Sequence, residues 1–355
     1  MSIKICVIFG GKSSEHEVSC KSAYNVLKNL DKEKYEIIKF GITKEGATWL
    51  YTGDDESIKD GTWENHDCTA CVISHCPKTE GLLKLLPGGT YEKIKVDVFF
   101  PVLHGKNGED GTIQGVFELA QIPYVGNGVA GSALCMDKIF TKNILECANI
   151  PVTPGFYITK SENDAQKVNE RIKLSFGYPV VVKPSNAGSS VGVSLVEEEA
   201  ELKKALDIAF LEDRRVLIEK KIDKRELECA VLGSHEEASA SVLGEVITLS
   251  KMYDYTTKYE DAATKTQIPA EIDEAISDKI RELAVRAFLA CDCTGLARVD
   301  FFVENETNKI YLNEINTLPG FTNISMYPML WGATGIGYTE LLDRVIELAI
   351  QKAKE

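Results

Sequence analysis

Leu296-Ala-Arg-Val-Asp-Phe-Phe-Val303 and Ile310-Tyr-Leu-Asn-Glu-Ile-Asn316 are two apolar runs joined by a polar connection at residues 304–309. They read as an antiparallel hairpin. Side chains alternate faces along a strand, so Arg298, Asp300 and Phe302 share one face, and Leu312, Glu314 and Asn316 another. If 300 pairs with 314, then 298 pairs with 316, and four polar groups converge. Two carboxylates and a carboxamide form a hard oxygen set suited to Mg²⁺. An adjacent arginine suits phosphate charge developing in a transition state. A solvated face with an ordinary Asp–Arg pair fits poorly, because both strands are otherwise strongly apolar.

A second constellation lies upstream, at Val180-Val-Val-Lys-Pro-Ser-Asn-Ala-Gly-Ser-Ser-Val-Gly192. A buried strand ending in Lys183, then a loop of small residues, offers a cation and backbone N–H groups to a polyphosphate. With the acidic hairpin, it points to a nucleotide held between two domains. Val216-Leu-Ile-Glu-Lys-Lys-Ile-Asp-Lys-Arg-Glu226 changes from an apolar strand to charge. That suits a hinge against which a flat base stacks, although a plain surface strand end reads the same way in isolation. The glycine loop at Phe9-Gly-Gly-Lys-Ser is not a P-loop, since the motif requires glycine where Cys6 stands. No G-x-G-x-x-G follows a strand.

Outward from these motifs, the chain divides into three units. Ile3–Phe9 reads as a buried strand. Ser14-Glu-His-Glu17 fits a capping box with Ser14 as N-cap, and Val18, Ser22, Val26 and Leu30 follow at helical spacing. Strands at 35–42 and 96–100, a glycine-rich loop at 104–111 and a helix from Thr112 predict a parallel α/β domain over residues 1–127. Ligands in such sheets sit beyond the carboxyl ends of the strands. Residues 128–222 form a second unit, with a helix over 131–147, strands over 178–184 and 216–220, and a helix over 197–210. The third unit, 223–355, has strand pairs separated by a polar stretch, 251–267, and closes with a helix.

Composition narrows the class. The 355 residues are 44% hydrophobic and 26% charged, which excludes a largely disordered chain. The net charge of −14 argues against nucleic acid or an anionic membrane as partner. No apolar run reaches the length of a membrane span, and the N-terminus reads as a strand rather than a signal peptide. The expected location is the cytoplasm, with the ten cysteines as free thiols. Cys68 and Cys71, with His66, His75 and Cys76 nearby, have zinc-like spacing. No second half-site follows, so a strand with incidental thiols is favoured.

The strand–Lys183–loop unit, Glu219–Ile222, and Arg298-Val-Asp300 with Glu314-Ile-Asn316 together resemble the ATP-grasp fold. From end to end the chain resembles the D-alanine–D-alanine ligase family. The motifs are Gly10-Gly-Lys-Ser-Ser-Glu-His-Glu-Val-Ser19, Leu103-His-Gly-Lys-Asn-Gly-Glu-Asp-Gly-Thr-Ile-Gln-Gly115, Cys135-Met-Asp-Lys138, Tyr253-Asp-Tyr-Thr-Thr-Lys-Tyr259 and Asn316-Thr-Leu-Pro-Gly-Phe-Thr322. The D-Ala–D-Ser ligases of glycopeptide resistance share nearly all of them.

The resemblance implies an N-terminal α/β domain followed by central and C-terminal α+β domains with ATP between them. It implies ligation of two D-alanines through an acyl phosphate, for peptidoglycan precursors, with ATP and two Mg²⁺ or Mn²⁺ ions and a homodimer. Lys138, Lys183 and Lys258 would meet ATP phosphates, with Ser189 and Ser190 closing over them. Glu219 and Ile222 would line the adenine pocket, and Glu226 would accept from the ribose hydroxyls. Asp300, Glu314 and Asn316 would bind the metals. Arg298 and the Gly320 N–H would stabilise the tetrahedral intermediate.

Glu15 would pair with the first D-Ala ammonium, although the helix dipole alone also explains an acidic residue there. His104 would lie near that substrate's carboxylate, and Ser325 would hold the second one's. Residues 251–267 would be a lid, with Tyr259 linked through Ser189 to Glu15. Met326 stands where D-Ala ligases carry an apolar residue and several D-Ser ligases carry Arg, so D-Ala is the expected acceptor. Asn323-Ile324 departs from the usual Ser/Thr-His before Ser325. The competing readings are a D-Ala–D-Ser ligase and a non-enzymatic nucleotide or amino-acid sensor. Retention of Arg298, Asp300, Glu314 and Asn316 argues against the sensor.

Overall fold

A computed structural model describes residues 2–188, 190–247 and 265–354. The first sheet contains β1 (Ile3–Gly10), β2 (Tyr35–Ile42), β3 (Thr48–Tyr51), β4 (Cys68–Ile73), β5 (Gly81–Leu86), β6 (Thr90–Lys95) and β7 (Val98–Pro101), in the order β6-β5-β4-β3-β2-β1-β7. β1 is parallel to β2 and to β7, whereas β2 through β6 pair antiparallel in turn. The parallel pairing expected from the sequence is present at β7-β1-β2, and the antiparallel strands beyond β2 make the sheet mixed. Short links join β2 to β3, β4 to β5 and β5 to β6, and β4 returns antiparallel to β3 across residues 52–67, whereas a helical crossover sets β2 parallel to β1.

The crossover from β1 to β2 is α1 (His16–Asn29). Glu15, rather than Ser14, occupies its N-cap position, and the Glu15 N–H is held by Ser13 Oγ at 3.2 Å. Gly10 ends β1 at φ +86°, where a Cβ would lie 2.1 Å from the Ile42 carbonyl oxygen, so the turn into the loop requires glycine. A short helix, α2 (Asp55–Lys59), and α3 (Thr112–Ala120) complete this region.

The helix expected over 131–147 is two helices, α4 (Val129–Met136) and α5 (Lys138–Cys147), broken at Asp137. Asp137 has extended backbone, and its side chain caps α5. The second sheet, β10-β9-β11-β8, contains β8 (Gly155–Thr159), β9 (Val180–Pro184), β10 (Ser194–Val196) and β11 (Arg215–Lys220). It buries one face against α6 (Ala165–Ser175) and α7 (Glu199–Glu212) through Ile172, Val182, Leu206 and Ile218.

The third sheet runs β14-β13-β12-β15-β16. Its strands are β12 (Lys224–Gly233), β13 (Ala238–Ile247), β14 (Lys265–Gln267), β15 (Gly295–Glu304) and β16 (Ile310–Asn316). One face packs on α8 (Glu274–Ala290) through Leu283, Ala287 and Phe288. Of the polar stretch 251–267, the described residues are Lys265–Gln267, which form an edge strand on β13; the rest of the expected lid lies outside the described residues.

The last two helices, α9 (Met326–Thr334) and α10 (Tyr338–Lys352), lie in one core with the first sheet. Phe321 is the joint. It contacts Phe100 of β7 at 6.2 Å between ring centroids, Tyr327 at 5.6 Å and Tyr338 at 6.2 Å. The ends of the chain are thus one packed body, and residues 316–325 are clamped between them. Truncating a fully packed aromatic loses its transfer free energy and leaves a cavity. Phe321→Ala should cost about 3–5 kcal/mol in urea unfolding; a change below about 1 kcal/mol would mean that the two ends do not share this core.

Candidate active site

The hairpin of β15 and β16 has the expected register: Asp300 pairs with Glu314, and Arg298 with Asn316. One detail differs. A bulge between Asp300 and Phe301 shifts the register, so Phe301 pairs with Leu312. Leu312 consequently leaves the polar face and joins Val299 and Phe301 in the apolar core, while Asn313 and Glu314 both face the cleft. An extra residue in one strand re-aims the side chains beyond it, and the alternation rule cannot anticipate it.

β12 lies on the other side of β15 and places Glu228 opposite Asp300. Like charges directly across a sheet repel, and Arg298 resolves the conflict. Its guanidinium donates to both carboxylate oxygens of Asp300, at 2.8 and 2.7 Å, and its Nε lies 2.9 Å from Glu228 Oε2. Asn316 Nδ2 donates to Asp300 at 2.9 Å. Burial opposes the arginine charge, but Asp300 and Glu228 outweigh it and hold the pKa well above its ordinary value. Glu228 was not anticipated. Its signal is the pair Glu226 and Glu228 alternating with Leu227 and Cys229 along an otherwise buried strand.

Facing this sheet is the second one, with Lys183 at the end of β9 and Glu219 in β11. Glu219 is buried between two lysines, Lys183 at 2.5 Å and Lys142 of α5. Burial would raise its carboxyl pKa, but the two ammonium groups outweigh burial and the net shift is downward. Burial pushes the Lys142 pKa down, and Glu219 offsets this only in part. Lys142 was also missed, because a lone lysine in an amphipathic helix reads as solvated. Lys138, on the first turn of α5, donates to the Ala187 carbonyl at 2.7 Å and lies 3.8 Å from Glu314. Burial lowers its pKa as well.

Between the two sheets is a cleft of about 510 Å³. Lys138, Lys183, Ser190, Glu219, Ile222, Glu226, Arg298, Asp300 and Glu314 all line it. Residues from three separated motifs therefore share one cavity that is rich in lysine on one wall and carboxylate on the other. Glu226 is paired with Lys224 at 2.8 Å.

A second group lies beside it. Glu15 is buried, with Oε2 close to the backbone of both Gly105 and Gly188, where an added Cβ would sit 3.1 and 3.5 Å away, respectively. His104 is buried between the Leu318 carbonyl, 3.0 Å from Nδ1, and Ser22 Oγ, 3.4 Å from Nε2. Gly320 packs against Ser325, whose Oγ would lie 2.8 Å from a Cβ there. Ser325 Oγ accepts from the Thr322 N–H at 3.0 Å and lies 2.7 Å from Thr322 Oγ1.

Met326 lies on the first turn of α9. Its side chain is buried in the apolar core, with its methyl against Gly244 and Leu330 alongside, and it is not among the residues lining the cleft. The packing of α9 against β13 decides its direction. Ser189, Lys258 and Tyr259 lie outside the described residues. All ten cysteines are free thiols, and no group of three or more His, Cys, Asp or Glu among the described residues is arranged to hold a metal ion.

Family models match both parts of the chain: the D-ala D-ala ligase N-terminus over residues 4–127, and the D-ala D-ala ligase C-terminus over 144–347. The chain belongs to the D-alanine–D-alanine ligase family. It is 50% identical to the D-alanine–D-alanine ligase of Acetivibrio thermocellus, covering 98% of this chain and 96% of the relative. It is 48% identical to that of a Thermoanaerobacter species, covering 99% and 98%. Among solved structures, it is similar to the VanG D-Ala:D-Ser ligase of Enterococcus faecalis, with TM-score 0.90, 40% identity, and 98% and 100% of the two chains covered. The D-alanine–D-alanine ligase of Coxiella burnetii gives TM-score 0.87, 35% identity, and 99% and 95% covered. The fold is therefore the ATP-grasp fold of these ligases.

The buried lysine–carboxylate–lysine arrangement makes a stability prediction. Glu219→Gln leaves two lysines without their counter-charge, and should cost about 3–5 kcal/mol at pH 7. The folded carboxyl pKa is depressed, so its contribution is present above the unfolded value of about 4.3 and is lost as pH falls through the folded one. Denaturation midpoints of wild type and variant should differ widely at pH 7 and converge on acidification. Equal midpoints at pH 7 would overturn the assignment.

Proposed function

We propose that the chain is an ATP-dependent D-alanine–D-alanine ligase supplying D-alanyl-D-alanine for peptidoglycan precursors. The observation that carries this reading is the single cleft lined by Lys138, Lys183, Arg298, Asp300 and Glu314, in a chain whose relatives bear that name over their full length. Phosphoryl transfer depends on positioning and charge neutralisation more than on covalent help, and the cleft supplies both.

In this reading ATP lies between the second and third sheets. Lys138 and Lys183 hold its phosphates, with Ser189 and Ser190 in the loop over them. Glu219 and Ile222 border the adenine, and Glu226 accepts from the ribose hydroxyls. The first D-Ala places its ammonium at Glu15 and its carboxylate near His104. That carboxylate attacks the γ-phosphorus and yields D-alanyl phosphate and ADP. The amino group of the second D-Ala, whose own carboxylate rests at Ser325, attacks the acyl carbon, and phosphate leaves. Arg298 and the Gly320 N–H stabilise the negative charge on the tetrahedral intermediate. Lys258 and Tyr259 are assigned to phosphate contact and closure, which keeps water from the acyl phosphate.

Oxygen-rich donors at adjacent register positions suit a hard divalent cation. Asn316 turns its Nδ2 toward Asp300, which leaves its carbonyl oxygen directed away from that carboxylate. Asp300, Glu314 and Asn316 would hold two Mg²⁺ or Mn²⁺ ions. Bound there, such ions supply charge neutralisation on the transferred phosphoryl group. The reading also places the enzyme in the cytoplasm, as a homodimer. ATP as substrate and ten free thiols fit a reducing compartment, and no helix among the described residues is long and apolar enough to cross a membrane.

The likeness to a D-Ala:D-Ser ligase structure sustains a second reading, in which D-Ser is the acceptor. The relatives at 48–50% identity are named for D-Ala, and D-Ala is the acceptor we assign. A hydroxyl added to an acceptor is rejected only about 100-fold by an apolar site, so some D-Ser product is expected.

Mass analysis of products from ATP, Mg²⁺, D-Ala and D-Ser in competition should show mainly D-Ala–D-Ala; mainly D-Ala–D-Ser would promote the second reading. Asp300→Asn and Glu314→Gln should each lower metal-dependent turnover by orders of magnitude while unfolding stays cooperative. Near-normal activity in both would remove the metal assignment. Glu15→Gln should weaken first-site D-Ala by about 2–5 kcal/mol with ATP affinity unchanged. An unchanged KM for D-Ala would leave Glu15 as a helix-dipole residue.

A further inference from the structure

Asp137 sits where α4 breaks into α5, and its carboxylate collects five donors. Oδ1 accepts from Ser185 Oγ at 2.6 Å and from the Ile139 and Phe140 N–H groups at 3.1 and 3.2 Å. Oδ2 accepts from Asn186 Nδ2 at 3.0 Å and from the Arg215 guanidinium. The next residue continues the attachment: the Lys138 N–H donates to the Ser185 carbonyl at 3.0 Å, and its ammonium to the Ala187 carbonyl at 2.7 Å. A side chain that only capped a helix would need Oδ1 alone.

We propose that Asp137 is a positioning residue that clamps residues 185–187 to the start of α5, and so fixes Lys138 and the loop N–H groups for nucleotide phosphates. The inference rests on the ligase reading above. Burial works against a charged carboxyl here, yet the donors from Ser185, Phe140, Asn186 and Arg215 together bring its pKa below the usual carboxylate range. The ionised form holds the clamp. Arg215 is itself fixed, with its guanidinium 4.8 Å from the centre of the Phe140 ring. The second anchor on the loop is Asp213, which accepts from the Asn186 backbone N–H at 2.8 Å and Nδ2 at 2.9 Å. Asp137 thus acts through Lys138 and the loop, not on the substrate.

The two oxygens make the test selective. In Asp137→Asn the carbonyl oxygen retains the Ser185 and helix contacts, while the new amide turns two donors toward those of Asn186 and Arg215. The KM for ATP, and the dissociation constant for ATP measured calorimetrically without D-Ala, should rise about tenfold or more, with KM for first-site D-Ala unchanged. Ser185→Ala, which spares the helix cap, should move ATP affinity in the same direction and supplies the answer if Asp137→Asn does not fold. Asp164→Ala removes a comparable cap on α6, from Gln166 and Lys167. It should lower thermal stability and leave ATP affinity alone. ATP affinity unchanged in Ser185→Ala, or in a folded Asp137→Asn, would overturn the proposal and leave the ligase reading intact. A wild-type protein that binds no ATP would overturn both.

Discussion

Arg298 is buried between Asp300 and Glu228, and the cleft is organised around that contact. Two carboxylates face each other across neighbouring strands, at a separation where neither tolerates the other uncompensated. Desolvating an unpaired charge costs several kcal/mol. The bidentate guanidinium makes the pairing of β12 with β15 tolerable at that point, and its planar fork fits the geometry as a lysine ammonium would not. Asn316 then takes its position from Asp300, and Glu314 follows from the register on the far strand.

Opposite this wall, the second sheet has the reverse arrangement: one carboxylate, Glu219, between two lysines. The cleft thus has walls of complementary charge, each partly neutralised within itself by buried pairs. A polyphosphate fits such a space, because its charge is met by groups already held in place. Preorganisation of this kind removes the cost of reorienting dipoles during reaction. The groups that would stabilise transferred charge also hold one another.

The group formed by Glu15, His104, Gly320 and Ser325 depends on a different constraint. Residues 316–325 run between the first and third sheets and are tied to both. Asn127 Nδ2 holds the Leu296 and Thr317 carbonyls at 2.7 and 3.0 Å, and the Phe321 N–H donates to Ser22 at 3.2 Å. Phe321 fills the core beneath. Any shift of α1 is therefore transmitted to Gly320 and His104, which lie on the same stitched surface as Glu15.

The sequence by itself determined the chemistry-bearing hairpin, the lysine-ended strand with its small-residue loop, and the family. Each of these is written in contiguous residues, where the alternation of strands and the spacing of motifs are set by local backbone geometry. Tertiary structure decided what depends on residues far apart in the chain. It made the first sheet mixed, with β1 parallel to β2 and β7 and the strands beyond β2 pairing antiparallel. It turned Leu312 into the core through a bulge, and Met326 into the core because α9 packs on β13. It also revealed Lys142, Glu228 and Asp137 as partners of predicted residues. Taken singly, Lys142 and Glu228 are unremarked charges on a helix and a strand, and Asp137 is one residue of the Cys135–Lys138 motif; buried charges must find counter-charges, and only the folded chain shows which ones they find.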